Sequence, residues 1–146
     1  MKYKLTEETK EFLGHKLHRI VCVTAFASVS VGDVGGWVES EKNLSQEGDA
    51  WVCGNAEVYG NAEVYGDARV CGLTDFMVLK NSWSSGRYFT YTASNKMWKV
   101  GCFYGTGEEL VNKAYKDSEL SGKCYEAAVK YVEEIERLKK ELKNEH

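Results

Sequence analysis

From Gly48 the apolar positions recur every six residues: GDAWVC, GNAEVY, GNAEVY, GDARVC, with a restart at Gly72. Val52, Val58, Val64 and Val70 mark one position of the period. Ala56, Ala62 and Ala68 each sit four residues after a valine of the series, and Ala50 fits the same register. A helix repeats at about 3.6 residues and a simple strand at 2, and neither matches. A coil of short flats does: each flat turns a valine inward, and each corner takes a small residue and a permissive glycine. Three hexads make one coil of 18 residues, which aligns Val34, Val52 and Val70 in one interior column. The segment SEKNLSQEG carries two residues more than the hexad run allows and reads as a loop or bulge at a corner. Outside the coil the same register stacks Cys53 on Cys71 and Trp51 beside Arg69 as a ring under a cation. It also leaves Tyr59 and Tyr65 outward, to be covered by the C-terminal segment or by another subunit.

On either side the period is lost. TEETKEFLG predicts a polar turn, followed by a strand from Leu17 to about Thr24. Leu17, Ile20 and Val21 then cap the open end of the coils, because an exposed sheet edge invites pairing. FMVL, RYFTYT and MWKVGCF, separated by the turn-rich KNSWSSG and ASNK, predict a small antiparallel sheet. Two domains are expected: 1–75, a cap and the repeats, and 76–146, a meander with helices.

GTGEEL opens the first helix, near Glu108 to Lys116, with Thr106 as N-cap and Glu109 closing a capping box. Two glutamates in the first turn already satisfy the helix dipole, which argues against phosphate binding there. A second helix runs from about Gly122 to Leu142. On it Cys124, Ala128, Tyr131, Ile135, Leu138 and Leu142 follow alternating spacings of four and three, a heptad seam. Tyr131, Ile135, Leu138 and Leu142 are the candidate contacts with a second chain, with Glu133–Arg137 and Glu136–Lys140 as flanking i, i+4 pairs.

Composition trims the classes of function. Of 146 residues, 43% are apolar and 28% charged, with a net charge of −3, which gives no drive toward nucleic acid. No apolar run approaches a membrane span, and the first residues lack the core of a signal peptide, so a cytoplasmic protein is expected. Five cysteines, with no Cys-x-x-Cys pair, read as reduced thiols and not as a zinc site. His15 and His18 are the only histidines apart from His146, and no third ligand sits at useful spacing, so neither a metal nor a cofactor is expected.

The repeats resemble the hexapeptide repeat of left-handed parallel β-helix proteins. DVGGWVESEKNLSQEGDAWV with the GNAEVYG copies, and RYFTYT with GCFYGTGEEL, resemble uncharacterised repeat proteins of bacteria and their phages. The fold that follows is a short left-handed parallel β-helix, then an antiparallel sheet and two helices. Many proteins with this repeat are acyltransferases, typically trimers, with a histidine as general base between subunits. This chain has no histidine from residue 19 to residue 145, so the expectation is not an enzyme. The leading reading is a non-enzymatic scaffold or protein-binding homo-oligomer, trimer or dimer, in the host cytoplasm if phage-encoded.

The alternative is capture of a small anionic, nucleotide-type defence signal near a subunit interface. Ser82, Trp83, Ser84, Arg87, Tyr91 and Trp98 would hold it: a planar donor fork, hydroxyls and stacking faces. A vestigial acyltransferase-like protein is the second alternative.

Overall fold

The computed structural model describes residues 1–144. It opens on an antiparallel hairpin, β1 (Tyr3–Phe12) and β2 (His15–Cys22), where the sequence suggested a polar turn. Lysines and glutamates on the outer face of β1 mask its strand character, while Tyr3 is fully buried. The hairpin turns at Leu13 and Gly14, both at positive φ (49° and 83°).

β3 (Val34–Val38) pairs antiparallel with β2 and parallel with β5 (Glu57–Val58), completing a mixed sheet of order β1-β2-β3-β5. β4 (Trp51–Val52) and β6 (Arg69–Val70) form a separate two-stranded parallel sheet, and Leu44 meets Val64 in an isolated parallel bridge. This corrects the expected fold: the β structure divides into separate sheets and is not a left-handed parallel β-helix. Two physical reasons stand out. Each of these hexad flats offers only two residues to a ladder before the next turn. And the hydrogen-bonding edge of β3 that a preceding coil would use is taken by the antiparallel β2.

The inward positions are also re-registered. Val34 is 60% exposed, and Val38 takes the interior place, set against Val58. Val52 lies against Val70, and all four of these inner valines are fully buried. Val52 follows Leu44 by eight positions instead of six, so the surplus lies in the Ser45–Asp49 turn. Gln46 in that turn accepts from the Lys2 and Tyr3 backbone amides (2.8 and 3.2 Å) and donates to the Tyr3 carbonyl (3.0 Å). It thereby ties the hairpin to the repeats. Gly35 and Gly36 let β3 lie close on them: a Cβ on Gly35 would stand 2.7 Å from Ile20 Cγ1 and from the Trp51 ring. Trp51 is buried under Tyr3 and Phe26 (centroids 6.4 and 5.3 Å) and is not an outer partner for Arg69. Cys53 and Cys71 stack as the register required, but as a disulfide with Cα atoms 4.6 Å apart, not as free thiols.

β7 (Phe76–Lys80), β8 (Tyr88–Thr92), β9 (Met97–Val100) and β10 (Phe103–Thr106) form an antiparallel sheet of order β10-β9-β8-β7. MWKVGCF, expected as one strand, turns at Gly101 (φ 55°). β8 is buried on both faces. Phe89 and Tyr91 meet the helices, while the hydroxyl of Thr90 accepts from the Glu63 amide of the repeats (3.0 Å). α1 (Gly107–Asp117) starts at the expected Thr106–Glu109 capping box. α2 (Glu119–Asn144) lays Tyr125, Val129 and Val132 on the core made with Phe89, Trp98 and Leu110. Its surface pairs differ from those expected: Arg137 binds Glu134 and Glu141, and Lys139 binds Glu136. Among the described residues no helix is long and apolar enough to cross a membrane.

Candidate functional site

Tyr59 leaves the repeat turn outward, as its place in the hexad requires, and the N-terminal hairpin packs on it. Phe12 meets it edge-on at 5.7 Å, and the His15 ring lies over it at 4.6 Å. These three rings form one wall of a groove of about 620 Å³. Leu73, Phe76, Val78 and Tyr88 line it as well, of which Leu73 is 84% exposed. The groove therefore lies where hairpin, repeats and antiparallel sheet meet. Its volume and apolar walls with a few polar groups suit a small molecule.

The polar groups are specific. Glu39, next after β3, accepts from the Gly60 amide through Oε1 (2.8 Å) and binds His15 Nδ1 through Oε2 (2.8 Å). The His15 bond, then the Gly60 amide, hold the Glu39 carboxyl below its ordinary range. With Nδ1 committed to Glu39, the ring's Nε2 is the nitrogen left for a ligand. Glu57 also lines the groove and is paired with Lys10 at 2.8 Å. Both carboxylates are thus already paired, and the tyrosine faces and apolar walls are what the groove offers to a neutral or cationic ring. Sequence reasoning set His15 aside for want of a third metal ligand. The usable signal was a carboxylate at residue 39, which only the β2–β3 pairing brings to it.

The six residues proposed from sequence divide. Trp83, Ser84 and Arg87 come together in a second cleft of about 800 Å³, with Lys113, Ser121 and Tyr125. Asn81, 4% exposed, organises that loop: its Oδ1 accepts from the Trp83 and Ser84 amides (3.2 and 3.0 Å), and its Nδ2 donates to the Tyr125 hydroxyl (3.2 Å). Trp83 is half-buried, edge-on to Tyr125 at 4.8 Å. Ser82 is exposed and does not line this cleft. Trp98 (2% exposed) and Tyr91 (6%) belong to the core under α2 instead. Burial, then Glu136 and Glu133, push the Tyr91 hydroxyl up to about 12. Strand alternation could not separate core rings from lining rings because both faces of β8 are covered.

No protein-family model matches the chain. A stretch of it is 37% identical over 59 residues to the uncharacterized acetyltransferase YdcK of Escherichia coli (strain K12). That match covers 35% of this chain and 18% of that protein, so the chain spans less than a fifth of its relative's length. The likeness is weak and partial, and it hints at a hexapeptide-repeat relative.

Proposed function

We propose that the protein binds a small neutral or cationic molecule with a planar or apolar body in the groove between Phe12, Tyr59, Leu73 and Tyr88. The observation that carries this is His15, held by Glu39 and set against Tyr59, at the wall of a groove whose other large side chains are mostly apolar. Such a pair presents one oriented ring nitrogen to a ligand that the walls hold by burial. In this reading the repeats are the frame that carries Glu57, Tyr59 and Gly60 to the hairpin.

A second reading uses the same groove. A histidine oriented by a carboxylate can act as general base toward a hydroxyl or amine acceptor. The partial likeness to an acetyltransferase favours acyl transfer as the class of reaction.

One experiment separates the readings. The protein is incubated with pooled amines, nucleosides and aromatic metabolites, with and without acetyl-coenzyme A. It is then recovered by gel filtration and denatured, and the released compounds are read by mass spectrometry. Retention of an unmodified ring compound, lost in Tyr59→Ala, supports binding. An acetylated product, lost in His15→Ala, supports transfer. If nothing is retained or modified, or if both variants behave as wild type, the groove is not the functional site.

A further inference from the structure

α2 carries a second, independent feature. Its 26 residues span roughly 39 Å at 1.5 Å per residue. One side is spent on the core through Tyr125, Val129 and Val132. The seam beside it stays open: Tyr131 is 54% exposed, Leu138 39% and Leu142 56%. Ile135 between them is half-buried, and Cys124 and Ala128, both half-buried and the latter touching the protein's own core, extend the line toward the start of the helix.

We infer that this seam pairs with the same seam of a second copy of the chain, the two α2 helices running parallel. The spacing makes Ala128, Ile135 and Leu142 the a positions and Cys124, Tyr131 and Leu138 the d positions of a heptad. Charge then fixes the direction. Glu134 and Glu141 occupy g, and Lys139 occupies e. In a parallel pair each Glu134 faces the Lys139 of the other helix, twice by symmetry. An antiparallel pair would set the acidic g positions against each other. Lys139 already donates to the Thr74 carbonyl (3.2 Å) and to Glu136 (3.0 Å), and a lysine has a third donor for a Glu134 across the seam. On the other flank Arg137 holds Glu134 and Glu141 in place.

The chain contains its own reporter. At a d position of a parallel pair the two Cys124 residues face each other across the axis, within the Cα separation that a disulfide spans. The test is mild oxidation with copper–phenanthroline in a Cys102→Ser background, read by non-reducing electrophoresis, with light scattering at tens of micromolar. The expected result is a particle of twice the chain mass that becomes covalent through Cys124 and stays non-covalent in Cys124→Ser. Leu138→Asp should weaken association roughly 100-fold, since the burial is lost on both copies. Its far-ultraviolet circular dichroism should match wild type. A monomer or a trimer by light scattering overturns the inference. So does a dimer whose Cys124 fails to cross-link, or a folded Leu138→Asp protein that associates as wild type does. The groove reading stands or falls separately, since no groove residue lies on α2.

Discussion

Replacing Glu39 probes the joint on which the candidate site depends. Its carboxylate makes two bonds of 2.8 Å, to the Gly60 amide of a repeat turn and to His15 of the hairpin. Charge-assisted hydrogen bonds contribute roughly 1.5–3 kcal/mol each where solvent is excluded. The Glu39 side chain is 32% exposed and that of His15 is 34%, so screening reduces the pair of bonds to about 1–2 kcal/mol in all. Glu39→Ala should cost that amount. Glu39→Gln should cost about half, because the amide oxygen can still accept one of the two bonds. The assay is urea denaturation followed by tryptophan fluorescence. A double-mutant cycle with His15→Ala should return a coupling of about 0.5–1 kcal/mol. The pH dependence has a definite sign. Glu39 is held below its usual range, so its contribution is full above pH 4.5 and is lost as pH falls through the lowered value. The difference between wild type and Glu39→Ala should therefore shrink toward acid. Equal stability at neutral pH, or a difference that grows on acidification, would refute the bridge and the orientation of His15 that depends on it.

Three further outcomes are expected. Gly35→Ala should destabilise by about 1–3 kcal/mol in the same assay, because its Cβ would press on Ile20, Trp51 and the Val52 carbonyl, each 2.7 Å away. Lys2 is buried, donates to the Ala50 carbonyl (2.6 Å), and is lowered by that burial from 10.5 to about 8. The unfolded chain therefore holds a proton that the folded one sheds, and stability should rise with pH from 8 to about 9.5, a slope that Lys2→Met should abolish. Above that range the raised hydroxyls of Tyr3 and Tyr91 act in the opposite sense. Cys53 and Cys71 close a loop of separation 18, so reduction or Cys71→Ser should lower stability by about 3 kcal/mol, read as a shift in the urea midpoint.

The period of six was legible because glycine, alanine and valine each answer a local demand at a turn, a corner and a core. It located the inner valines from Val52 to Val70, but it misplaced Val34, since nothing in GDVGGWV distinguishes Val34 from Val38 until β2 claims its side of the strand. The parallel β-helix was lost for the same reason. Periodicity reports turns that repeat, and it is silent about an antiparallel hairpin closing their edge. β1 went unseen because its outer face is charged. The capping box at Thr106 was readable from four residues, since capping is a local bond. The His15–Glu39 pair was not: 24 residues separate its members, and only the β2–β3 pairing joins them. The aromatic set split for a related reason. Tyr91 and Trp98 share their composition with lining residues, and only the docking of α2 makes them core.

Ligand entry at His15 and Tyr59 can be observed directly. Its most direct measurement is nuclear magnetic resonance mapping with a library of neutral and basic ring compounds. Shifts should cluster on Phe12, His15, Tyr59, Leu73 and Tyr88 and vanish in Tyr59→Ala. Shifts confined to the cleft of Trp83 and Arg87, or none at millimolar compound, would contradict it.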